Sequence, residues 1–71
     1  MSVKDIVNNV DPTFIEEYDL ERKEKDGRVV NIFTYDGMLD YLYGMRRFSI
    51  EPGRATQLIN ALEEHVIIRH G

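Results

Sequence analysis

DPTFIEEYDLERKEKDG, residues 11–27, is the stretch on which the fold of this 71-residue chain depends, because it fits two secondary structures. As a helix it has Asp11 as N-cap, Pro12 at the first helical position and Gly27 as a C-terminal stop. Its apolar stripe ends after Tyr18, however, since the positions that would continue the stripe hold glutamate, arginine and lysine. A single helix here would lack half of its buried face.

The same stretch also fits a β-strand, because apolar and acidic side chains alternate along much of it. Phe14 and Leu20 would share one strand face, with Glu16 as the exception on that face. The Asp-Gly dipeptide at the end of the stretch is a strong signal for a two-residue turn, and RVVNIFTY beyond it is rich in β-branched and aromatic residues. The sequence therefore predicts a β-hairpin in which residues 14–24 pair with residues 28–35.

Short helices are predicted on both sides of the hairpin. Ser2 caps the first, over residues 3–9, and Asp5 supplies the reciprocal side chain of a capping box. Asp36 caps the second, GMLDYLYG, residues 37–44, which its final glycine ends.

The C-terminal third of the chain contains the longest predicted helix. MRRFSI, residues 45–50, is a connector or a short third strand in which apolar and polar residues alternate. The long helix then begins at Ser49 or Glu51, with Pro52 in its first turn. Its predicted buried stripe consists of Ala55, Leu58, Ile59, Leu62 and Val66. Residues 66–70 either continue this helix or form a β-branched edge segment that pairs with another subunit.

These elements predict a small α+β domain over residues 1–71, with a β-hairpin packed against two or three short helices. A chain this short buries a smaller fraction of its surface than a larger protein does. It has no cysteine, so neither disulfides nor a thiolate zinc site can support the fold. Because small domains without such support are often stabilised by a partner subunit, we expect a homodimer.

The charge is negative overall and unevenly placed. Thirteen acidic against nine basic residues give a net charge of −4, and residues 11–21 hold five carboxylates and no base. This acidity disfavours direct binding of nucleic acid. The N-terminus lacks the segments of a secretory signal, and no apolar run approaches the roughly 20 residues of a membrane span. We therefore expect a cytoplasmic protein that does not contact membranes.

No group of residues in the sequence has a catalytic pattern, and we expect a non-enzymatic protein without a cofactor or metal. Cysteine nucleophiles and glycine-rich phosphate loops are absent. His65 and His70 are five positions apart, a spacing that does not place them on one helical face. Asp36 and Asp40 are one helical turn apart, but they are more typical of a cap and a solvated face than of a cation site.

The predicted strand gives the acidic run a specific geometry. Glu17, Asp19 and Glu21 would project from one face about 6.6–6.8 Å apart, which approaches the phosphate repeat along a DNA strand, roughly twice 3.4 Å. Such a row, doubled by dimer symmetry, could occupy the basic groove of a DNA-binding protein. The alternative is an ordinary solvated strand face whose charges discourage edge aggregation. The predicted partner-binding residues are Glu16, Glu17, Asp19, Glu21, Asp36 and Asp40.

Two other functions remain open. YGMRRFSIEPGRATQLINAL places Arg46, Arg47 and Arg54 before and at the start of a helix, a pattern similar to the helix-turn-helix of a small DNA-binding regulator. The predicted connector is longer than the usual three or four residues, and the arginines could instead pair with nearby carboxylates. A structural or antitoxin-like subunit of a larger assembly is the third possibility.

In its small size, its acidity, its lack of cysteine and the local sequence EEYDLE, the chain resembles the small bacteriophage-encoded host-takeover proteins of the DNA-mimic type. Proteins of that type inhibit host DNA-binding proteins such as the histone-like nucleoid protein HU. The resemblance lies in composition and extends over the whole chain. It implies that the protein binds a basic DNA-binding partner, such as a nucleoid protein, and inhibits it by occupying its DNA-binding surface.

Overall fold

The computed structural model describes residues 2–26 and 31–70, with residues 67–70 described by their helical backbone. In these ranges the chain forms α1 (Val3–Val10), α2 (Phe14–Glu17), α3 (Leu20–Lys25), α4 (Tyr35–Phe48) and α5 (Pro52–His70). None of the described residues is in a β-strand. The described part of the chain is therefore all-helical, and the predicted α+β class is wrong.

The predicted hairpin is replaced by α2 and α3. Residues 14–24, the predicted first strand, lie in these two helices and the bend that joins them. Of the predicted second strand, residues 31–34 form the turn that leads into α4 and residue 35 begins that helix, whereas residues 28–30 lie outside the described ranges. The sequence signals for a β-hairpin therefore did not determine the secondary structure of the described residues in this region.

The left-handed backbone conformation of one residue explains how α2 and α3 bury their apolar side chains. Asp19 has φ 55° and ψ 43°, a conformation that aspartate adopts more readily than most residues. The chain changes direction there, so α2 and α3 are separate helices. Phe14 and Leu20, on either side of the change, are both fully buried. The apolar stripe did not need to continue through the stretch, because the helix itself is interrupted.

The first helix, α1, forms much as predicted. The Ser2 hydroxyl oxygen accepts a hydrogen bond from the Asp5 N–H at 3.2 Å, and the Ser2 N–H donates to the Asp5 carboxylate at 3.3 Å, which confirms the capping box. Val3, Ile6 and Val7 are buried. The helix runs one residue further than predicted and stops before the proline, as expected.

The fourth helix, α4, is longer than the predicted helix over residues 37–44. Its N-cap is Thr34, and not Asp36 as predicted, because the Thr34 hydroxyl accepts a hydrogen bond from the Gly37 N–H at 3.0 Å. The helix also passes the predicted glycine stop and buries Met45. Tertiary packing of the next turn therefore outweighs the helix-ending tendency of that glycine.

The long helix α5 begins at Pro52, after a connector formed by residues 49–51. The predicted third strand over residues 45–50 is wrong, because its first four residues are the last turn of α4. The helix continues to His70, so the alternative of an edge segment over residues 66–70 is also wrong.

The helices share a buried cluster around α5, which packs against both α4 and α1. The predicted stripe is confirmed by the burial of Ala55, Leu58, Ile59 and Leu62, while Val66 is half-buried. The other buried members among the described residues are Val3, Ile6, Val7, Phe14, Ile15, Leu20, Ile32, Met38, Leu42 and Met45. Within the described ranges, no helix combines the length and the apolar character needed to cross a bilayer.

Gly37 lies where α4 passes close to the preceding turn. A Cβ added there would be 1.9 Å from the carbonyl oxygen of Asn31, so the backbone would have to move. We expect Gly37→Ala to lower the free energy of unfolding by about 1–3 kcal/mol. Gly44, in the same helix, has no neighbouring atom within 4 Å of an added Cβ. Gly44→Ala should therefore raise the free energy of unfolding by about 0.5–1 kcal/mol.

Urea denaturation of the two glycine variants measures both effects. The difference in the free energy of unfolding between the two variants is the informative quantity, because both substitutions add the same methyl group to the same helix. If Gly37→Ala proved as stable as Gly44→Ala, the close approach of α4 to the turn would be contradicted.

Candidate functional site

Arg54, in the first turn of α5, binds three carboxylates. Its guanidinium donates to both carboxylate oxygens of Asp11, at 3.0 Å for the Nη2–Oδ1 pair. It also donates to Glu17 and, at 3.1 Å, to Glu51. A further hydrogen bond of 3.0 Å reaches the Thr13 hydroxyl. We call Arg54, Asp11, Glu17 and Glu51 the Arg54 cluster; it ties the start of α5 to the link between α1 and α2.

Two aromatic rings complete the surroundings of Arg54. Its guanidinium carbon lies 5.5 Å from the ring centroid of Phe14 and 5.6 Å from that of Tyr18, within the range of a cation–π interaction. The Tyr18 hydroxyl donates a hydrogen bond to Glu51. Because the Arg54 side chain is only 20% exposed and engaged on all these sides, its charge is not free to bind a ligand.

The contacts of the Arg54 cluster hold the pKa values of its carboxyl groups below their ordinary values. For Asp11 and Glu17, the main cause of the lowered pKa is the hydrogen bond from Arg54. For Glu51, the hydrogen bond from Tyr18 lowers the pKa most, followed by the one from Arg54. The hydrogen bond to Asp11 is in turn the main cause of a raised pKa for the Arg54 guanidinium. All four members are therefore charged at neutral pH, and none is poised to exchange protons in catalysis.

The carboxylates of the predicted acidic row do not form a row. Without a strand, Glu17, Asp19 and Glu21 do not project from one face at a regular spacing. Glu17 belongs to the Arg54 cluster, and Glu21 forms an ion pair with Lys4 that lowers the pKa of its carboxyl group. The Asp19 carboxylate lies 3.9 Å from the guanidinium of Arg22. Much of the charge in this stretch is therefore neutralised within the molecule.

Glu16, a predicted partner-binding residue on the other face of the predicted strand, is accessible. Its side chain is exposed and makes no ion pair with any residue that the structure describes. Glu16 and Asp19 line an open surface depression beside the apolar side chains of Pro12 and Ile15. We call this surface the acidic depression; the rest of its lining is Lys4, Asn8 and Glu21.

The other two predicted binding residues lie on α4. Asp36 is exposed in the first helical turn, where a negative charge is favoured by the helix dipole. Asp40 is exposed one turn later and lines a different depression, next to Arg46 and Arg47. The structure therefore does not bring the six predicted carboxylates together on one surface.

The three arginines of the predicted DNA-binding alternative have different roles. Arg54 is held in its cluster, whereas Arg46 and Arg47 are exposed in the last turn of α4. Neither exposed arginine has a carboxylate partner within residues 2–26 and 31–66. The connector from α4 to α5 is three residues long, so the expectation of a longer connector is wrong. The turn length fits a helix-turn-helix, but only two of the three arginines are accessible.

The end of α4 and the connector expose two large apolar side chains. Phe48 is 83% exposed and Ile50 is 97% exposed. The guanidinium carbon of Arg47 lies 5.8 Å from the Phe48 ring centroid, and that of Arg46 lies 4.9 Å from the ring centroid of Tyr43. We call these five residues the α4–α5 corner. Tyr43, Arg46, Arg47 and Phe48 line one surface depression, and arginine with aromatic side chains is a combination enriched at protein interfaces.

Phe48 and Ile50 of the α4–α5 corner are absent from the predicted binding residues for a physical reason, although Arg46 and Arg47 belong to the predicted DNA-binding alternative. MRRFSI fits a connector or a strand in which Phe48 and Ile50 alternate with polar residues, and that pattern does not indicate exposure. The signal that could have identified it is RRF at the end of a helix, followed by an isoleucine and then a proline that starts the next helix. Apolar residues in so short a connector cannot all reach the core.

His65 does not form a metal site with other described residues. In the described ranges, no three metal-ligating side chains lie close enough together to hold an ion. The ring of His65 stacks on that of Tyr35, with 6.2 Å between the centroids, so His65 has a packing role. The side chain of His70, the other histidine considered for a metal pair, lies outside what the structure describes.

Comparison with family models, with curated proteins and with solved structures finds no match to this chain. No family is therefore assigned, and no relative supplies an activity or a partner. The chemistry of the exposed side chains is the basis on which a function can be proposed.

The lowered carboxyl pKa values predict that stability depends on pH. A carboxyl group with a lower pKa in the folded than in the unfolded state stabilises the fold above its unfolded pKa, and this contribution is lost as the pH falls through the folded pKa. The free energy of unfolding should therefore decrease as the pH drops below the ordinary carboxyl range of about 4 to 4.5. We expect Arg54→Ala to lower it by about 2 kcal/mol at neutral pH, because the pairs are partly shielded from water.

The same substitution should make the acid-induced loss of stability shallower, since Arg54 lowers the pKa of all three carboxyl groups of its cluster. Lys25→Ala is the control, because it removes an exposed positive charge that lies outside both the cluster and the α4–α5 corner. We expect it to change stability by no more than about 0.5 kcal/mol at either pH. Chemical unfolding followed by circular dichroism at neutral and acidic pH measures these effects. Identical acid responses in Arg54→Ala and the wild type would contradict the assigned role of the cluster.

Proposed function

We propose that this protein is a non-enzymatic interaction module that binds an acidic protein surface through the α4–α5 corner. The observation that carries this proposal is the exposure of Phe48 and Ile50 beside two arginines that lack carboxylate partners among the described residues. A single exposed apolar residue is ordinary in a folded protein. A phenylalanine, an isoleucine, a tyrosine and two arginines on one corner form a composition that is enriched in binding hot spots.

The side chains of the α4–α5 corner favour a partner with carboxylates around an apolar contact. Full burial of Phe48 or Ile50 contributes about 1.5–3 kcal/mol each. Arg46 and Arg47 lie over aromatic rings, and a stacked guanidinium keeps its in-plane N–H donors for a carboxylate. Because the rings already restrict the two arginines, less conformational freedom is lost when the partner binds.

Nucleic acid is a less favourable partner for the same corner. Phosphate contacts by lysine and arginine supply most of the affinity for DNA, and this chain has a net charge of −4. Of the three arginines that would form the contact, Arg54 is engaged by carboxylates. Arg46 and Arg47 are too few to offset the overall repulsion from a phosphate backbone.

Binding of a basic, DNA-binding partner by charge mimicry stays a prediction, but the regular carboxylate spacing on which it was based is absent. Glu17 is engaged with Arg54, and Glu21 with Lys4. Reversing these two charges would break ion pairs within the fold as well as remove acidity. A loss of binding in such a variant would therefore not be specific to mimicry.

Peptide display against the immobilised protein tests the chemistry of the partner. The wild type should enrich peptides that combine aspartate or glutamate with an apolar or aromatic residue. Phe48→Ser together with Ile50→Ser should weaken binding of those peptides at least about tenfold, because the apolar contact is lost. Arg46→Glu together with Arg47→Glu should also abolish their enrichment, because the carboxylates of the peptide then face like charges.

Asp26→Lys together with Glu64→Lys is the control variant, since it reverses two exposed charges outside the α4–α5 corner. It should enrich the same peptides as the wild type, and circular dichroism should show that all variants are equally helical. Enrichment of lysine- and arginine-rich peptides by the wild type would overturn the proposal and favour the acidic-mimic prediction. Acidic peptides that bind the Phe48→Ser, Ile50→Ser variant as well as the wild type would show that the corner is not the binding surface.

A further inference from the structure

We infer that the occupant of the α4–α5 corner is a second copy of this chain, which places its acidic depression against the corner. This inference rests on the proposed function and names its partner. A surface of the required chemistry, with free carboxylates next to apolar side chains, is present on the chain itself. The interface would be reciprocal, because each copy carries both surfaces.

The two surfaces are complementary in charge. Arg46 and Arg47 outnumber the one carboxylate, Asp40, that lines the same surface, while Glu16, Asp19 and Glu21 outnumber Lys4 in the acidic depression. Glu16 has no ion-pair partner within the described residues, and Asp19 has only the 3.9 Å contact to an exposed arginine. These charges therefore remain open to a partner, unlike those of the Arg54 cluster.

The two surfaces are also complementary in apolar contact. Phe48 and Ile50 project from the corner, and the acidic depression offers Pro12 and the edge of Ile15 between its carboxylates. Exposed apolar side chains with arginines would thus meet a mainly polar depression in which carboxylates lie beside an exposed proline.

The positions of the two surfaces suit a two-fold dimer. Ile50 of the corner is followed in the chain by Glu51, and Asp19 of the depression is preceded by Tyr18. Glu51 and Tyr18 are hydrogen-bonded to each other beside Arg54, so both surfaces adjoin the same ion cluster. A reciprocal interface, in which each corner meets the depression of the other copy, has two-fold symmetry. Such an interface is closed and repeats every contact twice.

The net charge of −4 on each chain opposes association at long range. At physiological ionic strength, repulsion between exposed charges is largely screened beyond about 8 Å. The contacts at the corner act at much shorter distance, so local complementarity decides whether two copies associate. A partner subunit also gives a domain of this size apolar burial that it cannot obtain alone.

Sedimentation velocity on the full chain, with two charge-reversal variants, tests this interface. The corner variant is Arg46→Glu with Arg47→Glu. The depression variant is Glu16→Lys with Asp19→Asn, in which asparagine suits the left-handed φ of 55°. The wild type should dimerise at micromolar concentration, and each variant alone should have a dissociation constant raised at least about tenfold, because like charges then meet across the interface.

An equimolar mixture of the two variants should recover the dimer. In the mixed pair, the acidic corner of one chain meets the altered depression of the other, and the unaltered corner meets the unaltered depression. Asp26→Lys with Glu64→Lys serves again as the control and should dimerise like the wild type. Recovery on mixing requires that these two surfaces touch, which neither a general charge effect nor misfolding can imitate.

A monomeric wild type over the whole concentration range would overturn the inference but not the proposed function, which peptide display tests separately. The inference would likewise be overturned if both charge-reversal variants dimerised like the wild type. It would also be overturned if mixing two weakened variants did not restore the dimer. Wild type that stays monomeric but sediments with anionic lipid vesicles, through Phe48 and Ile50, would assign the corner to a membrane instead and overturn it as well.

Discussion

The guanidinium of Arg54 is the interaction on which the rest of the structure depends. It joins the first turn of α5 to the α1–α2 link through Asp11, to α2 through Glu17, and to the connector through Glu51. Because α5 also packs on α1 and α4, fixing its start helps to fix the end of α4 and the link between α1 and α2 relative to each other. Carboxylates that look like a functional patch in the sequence therefore hold the fold together.

Features that depend on interactions within a single helix could be predicted from the sequence. The capping box of α1 and the buried stripe of α5 follow from contacts within one helix and from its periodicity. The stretch from α2 to α3 could not be predicted, because its outcome depends on the left-handed conformation of Asp19. The helix break at Asp19 lets both α2 and α3 bury apolar residues. No hydrophobic periodicity in the sequence indicates such a break. The Asp-Gly turn signal and the β-branched run after it favoured a hairpin that the packing did not select.

The candidate site was harder to predict than the fold, because exposure and pairing are tertiary properties. Arg54 and Asp11 are 43 residues apart, and Lys4 and Glu21 are 17 apart, so counting charges along the chain could not reveal that these acids are neutralised. Phe48 is accessible because it ends α4 at the connector. The excess of acidic residues in the sequence led to a predicted binding surface at residues 11–21. The exposed apolar and basic side chains instead lie at the end of α4 and in the connector to α5.

The central claim is that the α4–α5 corner is the interaction surface and that its complement lies on the same chain. A concentration series of amide NMR spectra tests it most directly, because each backbone N–H reports on its own surroundings. As the concentration rises, we expect the amides of residues 46–50 and those of residues 13–19 to shift together, while the amide of the buried Leu58 stays fixed. Shifts that spare residues 46–50, or a spectrum that does not change with concentration, would contradict the claim.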